Sequence, residues 1–293
     1  MHASENRSPT RLPLWQRFVN LLLYGNYWIG ACALAMVLQT QYLIAGRPVF
    51  DHLSLFLFAG TWSLYSFHRI VGMGRVRPFH ESGRYRIIYR FRRHITLYAL
   101  VGAALAAYAF FQLPRSVQIS TIVPTLLSLG YVFPWLRGKR LRDFDFWKIF
   151  LVAGAFSWLT VGLPWLEPGF ESVTWWQLAE RFCFIFALTL PFDIRDLRID
   201  AHTRVQTIPA LLGESRSRLL AYLLLVLSLG CSAACYALDF YSVRTLLALL
   251  LLDLTTALLI RGAHRERPDH YFTGYLDGLM ILSFLLVWGI QVL

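Results

Sequence analysis

Residues 190–200 read Leu190-Pro191-Phe192-Asp193-Ile194-Arg195-Asp196-Leu197-Arg198-Ile199-Asp200. The three carboxylates recur at i, i+3 and i+7. At about 100° per residue a helix places them within about 60° of one another on one face. Arg195 and Arg198 fall on the other side. Like charges at helical spacing destabilise a helix, so the stripe calls for a positive neighbour. Two readings supply one. The first is Mg²⁺, which takes oxygen ligands and commonly uses one or two carboxylates with substrate phosphates. The second is a solvated helix end whose carboxylates pair with nearby arginines.

What precedes the stripe sets its surroundings. Residues 175–192 form an apolar run, and eight more runs of similar length lie along the chain. A bilayer-crossing helix needs about 20 mostly apolar residues. The nine expected spans cover residues 18–37, 50–67, 95–112, 117–134, 147–165, 175–192, 217–237, 241–260 and 273–292. The composition agrees: 57% of the 293 residues are apolar and only 15% are charged, against about 45–50% and about 25% in average soluble domains. Disordered chains are poor in apolar residues, which excludes that class. Four cysteines, all inside apolar runs, exclude a secreted disulfide scaffold. Strand alternation is nowhere sustained, which argues against a membrane β-barrel. Residues 1–13 read as a flexible tail and residues 14–293 as a single membrane domain. The N-terminus lacks a short apolar core with a small-residue cleavage site, so the first helix is expected to remain as an anchor.

The net charge of +11 sorts by loop. Basic residues cluster in residues 1–17, 68–94, 135–148, 193–218 and 261–267, on one side of the nine spans. These segments hold 24 of the 28 Lys and Arg; Arg47, Arg115, Arg181 and Arg244 fall on or near the other side. By the positive-inside rule the basic side is cytoplasmic. The N-terminus is then cytoplasmic and the C-terminus extracytoplasmic, and the expected location is a bacterial cytoplasmic (inner) membrane. The charge is thereby a topology and lipid-contact signal, and no nucleic-acid partner is expected.

The stripe continues into Arg204, Thr207-Ile208-Pro209 and Leu211-Leu212-Gly213. This block resembles the second aspartate motif of the UbiA family of integral-membrane prenyltransferases, and that family's nine membrane helices match the span count. Tyr131-Val132-Phe133-Pro134-Trp135-Leu136-Arg137 is similar to the family's Tyr-Pro-Lys segment, with Arg137 where Lys is more usual. The resemblance implies an all-α fold of nine transmembrane helices around a central cavity. It also implies an enzyme that transfers a prenyl group from a prenyl diphosphate to an aromatic or lipid acceptor. Mg²⁺ would be held by Asp193, Asp196 and Asp200, which are also the implied catalytic residues.

The first aspartate motif of that family belongs at the end of the second span. Residues 60–69 read Gly60-Thr61-Trp62-Ser63-Leu64-Tyr65-Ser66-Phe67-His68-Arg69, with no acidic residue. His68 and Arg69 stand there instead, and Arg suits bidentate phosphate contact. The expected substrate-binding residues are His68, Arg69, Tyr131, Arg137 and Arg204. A second class of function fits the missing motif: a non-catalytic or transporter-like protein on the same helices. Asp253 and Asp277 fall inside spans, where a carboxylate costs on the order of 2.5–3.5 kcal/mol at the bilayer centre, so each should face the bundle interior or a watery cavity. Glu180 and Arg181 are adjacent, do not face each other on a helix, and need separate partners. Cys231 and Cys235 share a face, but nothing completes a metal site with them, and they read as small core residues.

The topology is directly testable. A reporter fused after Leu293 should read extracytoplasmic, and one inserted near Ser82 should read cytoplasmic; the reverse pattern would overturn the span count.

Overall fold

The computed structural model describes residues 13–73, 83–133, 141, 145–167, 174–203 and 205–292, and among them the regular elements are all helical. The chain opens with α1 (Leu14–Tyr24) and α2 (Tyr27–Ala45), then α3 (His52–Gly72). Next come α4 (Gly83–Arg90), α5 (Arg92–Gln112) and α6 (Arg115–Val132). α7 (Trp147–Ser157) continues through a π-helical turn, Trp158–Gly162, into the short α8 (Leu163–Trp165). α9 (Trp175–Thr203), α10 (Ile208–Ala237) and α11 (Val243–Gly262) follow. A second π-helical turn, Tyr271–Leu276, leads into α12 (Asp277–Val292).

The expected first span, 18–37, is in fact two elements. Gly25 closes α1 by donating its N–H to the Leu21 carbonyl, and Asn26 turns the chain with a left-handed φ of 62°. Asn tolerates that region better than most residues. The turn is fixed from α3: Trp62 Nε1 donates to the Gly25 carbonyl (2.8 Å), and Asn26 Nδ2 donates to Ser66 Oγ (3.0 Å). α1 leaves Leu14, Phe18 and Leu21 exposed on one face, the pattern of a helix lying in a membrane interface.

Six helical stretches are long and apolar enough to cross a membrane: Tyr27–Ala45, Arg92–Gln112, Trp147–Trp165, Ile208–Ala237, Val243–Gly262 and Tyr271–Gln291. The other three expected spans are also helical, as α3, α6 and the first part of α9. Their polar residues lower their apolarity: Ser63, Ser66, His68 and Arg69 in α3, Gln118 and Thr121 in α6, and Glu180 and Arg181 in α9.

The long helices touch in a closed order. α2 meets α3, α3 meets α6, α6 meets α7, and α7 meets α9; α9, α10, α11 and α12 then follow in sequence, and α12 returns to α2. α5 packs on α3 from outside. A Cβ on Gly102 of α5 would lie 3.0 Å from the Ala59 carbonyl and 3.1 Å from the Ser63 Cβ. Close approach at a small residue is how helices associate where lipid removes the hydrophobic drive. The Ser63 hydroxyl uses the proximity to donate to the Ala99 carbonyl (2.8 Å). The main core gathers Met36 of α2, Phe184, Ile185 and Leu188 of α9, Leu249 and Leu252 of α11, and Phe272 at the base of α12. Outward faces of α5, α6, α10 and α11 expose Leu, Val, Ile and Phe, as lipid contact requires.

Of the two adjacent buried charges in the first half of α9, Arg181 finds partners on neighbouring elements. The Arg181 guanidinium donates to the Met36 carbonyl and to Thr160 Oγ1, both at 3.1 Å. The π-helical turn of residues 158–162 carries Thr160 to this point. Glu180 and Asp253 are buried within electrostatic reach of each other, so Asp253 does face the bundle interior.

Asp51 starts α3 with a capping box: its Oδ1 accepts from the Ser54 N–H (2.8 Å) and its own N–H donates to Ser54 Oγ (3.0 Å). Its other oxygen accepts from Gln41 Nε2 (2.7 Å). Glu167, beyond the end of α8, lies in the same group. Burial first, and then the Asp51 charge, push its carboxyl up to about 7, while a hydrogen bond from Gln41 pulls the other way. Its folded pKa therefore lies above the unfolded value of about 4.3. The resulting stabilisation is full below that value and is lost as pH rises towards about 7. Thermal unfolding in detergent should show the wild type losing stability from about pH 5 to about pH 8. Glu167→Gln should lose less and exceed the wild type at the upper pH; parallel slopes would show that Glu167 does not titrate there.

Candidate functional site

Asp193 and Asp200 share a face of α9, as their spacing requires. They are 2% and 3% exposed. Both meet Lys148 of α7, whose Nζ lies 2.5 Å from Asp193 Oδ1 and 3.6 Å from Asp200 Oδ2. Asp193 keeps its second oxygen buried without a hydrogen-bond partner.

Lys148 is placed by a clasp between the start of α7 and the strand-like segment after α9. Phe146 donates its N–H to the Gln206 carbonyl (3.1 Å), and the Gln206 N–H donates to Asp145 Oδ1 (2.7 Å). Phe146 takes a left-handed φ of 63°, unusual for an aromatic residue. The Val205 N–H returns to the Asp200 carbonyl (2.9 Å), which closes the end of α9 against the same segment.

Asp196 turns elsewhere. Arg195 grips it bidentately, Nε to Oδ1 at 2.9 Å and Nη2 to Oδ2 at 3.1 Å, and reaches Asp269 Oδ1 at 3.5 Å. The guanidinium lies against both the Phe192 and Phe272 rings, 5.1 and 5.2 Å from their centroids, which are themselves 5.9 Å apart edge to face. Cation–π contact of this kind favours Arg. Asp277, at the start of α12, lies within electrostatic reach of Arg195 and Arg69.

The structure separates the two residues expected at the end of α3. The His68 ring faces Tyr131 of α6, with centroids 5.8 Å apart. Arg69 instead reaches back to α1, donating to the Leu23 carbonyl (3.2 Å) and the Tyr24 carbonyl (3.4 Å) over the Tyr24 ring. It thereby satisfies C-terminal carbonyls that a helix leaves without partners. Trp62 packs on Tyr27 and Tyr98 and so lies towards α2 and α5. Arg137 and Arg204 lie outside the described residues.

His68 and Tyr131 line a cleft of about 110 Å³ between α3, α6 and α7. Its other walls include Tyr65, Leu64, Leu127, Leu151, Phe156 and Leu159. Lys148 stands one turn before Leu151 and Val152 on α7. The ion cluster and the apolar cleft therefore follow one face of that helix.

Among the described residues no three His, Cys, Asp or Glu side chains converge into a metal-binding group. The Asp193–Asp200 pair nevertheless fits a divalent cation. Both carboxylates are buried, they already share one positive charge, and Asp193 holds an oxygen in reserve. Mg²⁺ commonly takes one or two carboxylates and completes its shell with water and phosphate oxygens. Asp196 is not part of that pair. Lys148 is the residue that spacing missed, because it falls within the basic segments that mark topology. The signal was its position, in the first turn of an apolar helix.

No family model matches the chain, and no curated protein matches its sequence. Solved structures do match. A UbiA homologue from Archaeoglobus fulgidus, bound to GPP and Mg²⁺, superposes with a TM-score of 0.67 at 13% identity, over 93% of this chain and 99% of that one. An apo UbiA homologue from Aeropyrum pernix K1 gives 0.65 at 12% identity, over 91% and 97%. A structure of digeranylgeranylglyceryl phosphate synthase gives 0.57 at 12% identity, over 95% and 100%. This chain has the UbiA fold. With six helices able to cross a bilayer, the UbiA-fold chain is an integral membrane protein. At this identity the likeness speaks for fold alone, and the side chains above must carry the chemistry.

The Arg195 cluster can be tested alone. Arg195→Gln leaves Asp196 and Asp269 without that cation and should destabilise the protein by about 1–3 kcal/mol, the usual cost of stranding a half-buried partner. Adding Asp196→Asn should recover part of the loss in thermal unfolding. No recovery would place the loss in the contacts of Arg195 with the Phe192 and Phe272 rings.

Proposed function

We propose that this UbiA-fold protein is an intramembrane prenyltransferase that takes its prenyl group from a prenyl diphosphate and passes it to an aromatic or lipid acceptor. The observation that carries the reading is the junction of a buried acidic pair and an apolar cleft along one face of α7. Such a site offers a charged end for a diphosphate and an oily wall for an isoprenoid chain. Structural neighbours are bound to GPP or DMAPP with Mg²⁺, which supports the substrate class. All nine expected helices would then cross the membrane, with the cluster on the cytoplasmic side.

Asp193 and Asp200 would hold Mg²⁺, which when bound supplies Lewis-acid stabilisation of the departing diphosphate. Lys148 adds a donor beside that group. Arg195 acts at one remove, held by Asp196, Asp269 and two rings. It positions the end of α9 and faces Asp277. Leu64, Leu127, Leu151, Phe156 and Leu159 keep water from the allylic carbon as its bond to oxygen opens and the electron pair leaves with the diphosphate. His68 and Tyr131 stand where the chain meets the charged end. Their rings would present faces to a developing positive charge, and the His68 imidazole would accept the proton that an alkylated ring gives up. Arg137 and Arg204 remain proposed phosphate contacts.

Purified protein incubated with radiolabelled prenyl diphosphates, Mg²⁺ and aromatic acceptors should release diphosphate in a metal-dependent way. Asp193→Asn and Asp200→Asn should each lower the rate on the order of 10²-fold, as removal of a transition-state stabiliser does. Asp196→Asn should cost about tenfold, as an outer partner does. Calorimetric binding without turnover would assign the non-catalytic reading instead, and no binding of any prenyl diphosphate would remove the reading altogether.

A further inference from the structure

Lys148 occupies the place that a bound cation needs. Its Nζ lies 2.5 Å from Asp193 and 3.6 Å from Asp200, and its side chain is only 13% exposed. A divalent ion that took both carboxylates would have to drive the ammonium out. The ammonium would then give up its contacts to both carboxylates while a dication sits beside it, and like charges brought together in a mostly buried site repel. A diphosphate changes that balance. It brings negative charge into the same volume and gives Lys148 a new partner in a charge-assisted hydrogen bond.

We propose that Lys148 is an internal counter-ion that competes with a divalent cation for Asp193 and Asp200, so that the cation enters this pair together with a diphosphate and not on its own. The proposal deepens the prenyl-diphosphate reading above and rests on it for the identity of the anion. It makes Lys148 a gate on the order of binding. Without substrate the carboxylates are neutralised by the chain itself. With substrate, metal and diphosphate bind as a unit, and each raises the affinity of the other by the same factor, as linkage demands.

The test uses the full-length protein in lipid nanodiscs, with Mn²⁺ followed by electron paramagnetic resonance and geranyl S-thiolodiphosphate as a non-cleavable anion. Wild type should bind Mn²⁺ weakly alone and at least about tenfold more tightly with the analogue, and the analogue should gain the same factor from Mn²⁺. Lys148→Met should bind Mn²⁺ alone at least about tenfold more tightly than wild type and gain less from the analogue. Lys148→Gln is the second neutral variant should Met fail to fold. Lys148→Arg, which keeps the charge, should retain the wild-type weakness, a rescue that a merely structural role would not give. Equal Mn²⁺ affinity in wild type and both neutral variants would overturn the proposal. Tighter Mn²⁺ binding in the neutral variants, with no analogue binding to any form, would sustain the competition while overturning the diphosphate as the anion and the functional reading with it.

Discussion

Two carboxylates on one face of α9 are held away from water, and a buried anion persists only where a cation answers it. This requirement organises the charged end of the molecule. The answering cation is Lys148, so α7 must begin where its first turn reaches Asp193 and Asp200. The Asp145–Gln206 and Phe146–Gln206 hydrogen bonds hold it there, at the expense of a left-handed aromatic residue. Once α7 is so placed, its Leu151, Val152 and Phe156 fall against α3 and α6 and form the cleft. The position of the apolar wall thus follows from the position of one ammonium group.

The same rule acts at the other end of α9. Arg181 is 1% exposed, and its Nη1 donates to a backbone carbonyl and a threonine hydroxyl, while its Nε is buried without a hydrogen-bond partner. The hydroxyl is available because the helix between α7 and α8 widens into a π turn, which shifts Thr160 relative to a regular α-helix. π-Helical turns often mark sites where a helix gives up regular geometry to place one group. Both ends of α9 therefore bend a neighbouring element to meet a charge, while its middle, from Phe184 to Leu190, packs as ordinary core.

Those features divide what could be read from sequence from what could not. Apolar runs are local in sequence, so the helical stretches were legible. So was the Asp193/Asp200 face, because a seven-residue interval fixes direction on a helix whatever surrounds it. The inward placing of Asp253 followed from the cost of leaving it in lipid. The break at Gly25 and Asn26 was not legible. It depends on Trp62 and Ser66, about forty residues away, and an apolar run continues across it. Nor could spacing show that Asp196 leaves the stripe, since that choice is made by Arg195, Phe272 and Asp269 together. Lys148 was hidden by its type: in a basic loop a lysine reads as topology, and only the tertiary fold shows it facing two aspartates.

The end of α3 completes the charge balance. The resembling family carries carboxylates there, and this chain carries His68 and Arg69. Carboxylates at that end would have demanded further cations, and one ammonium could not have neutralised both sides. With His68 turned to the cleft and Arg69 committed to the carbonyls of α1, α3 makes no such demand. Lys148 then faces Asp193 and Asp200 with no carboxylate of α3 beside them. The missing aspartates and the lysine at 148 are in this sense coupled. Acidic residues placed at 68 or 69 would add negative charge near Asp277 while removing, at 69, the guanidinium that both faces it and seals α1. This end of α3 offers a positive framework where the resembling family carries carboxylates. In the proposed reaction this places the whole task of binding a diphosphate's counter-ion on Asp193 and Asp200.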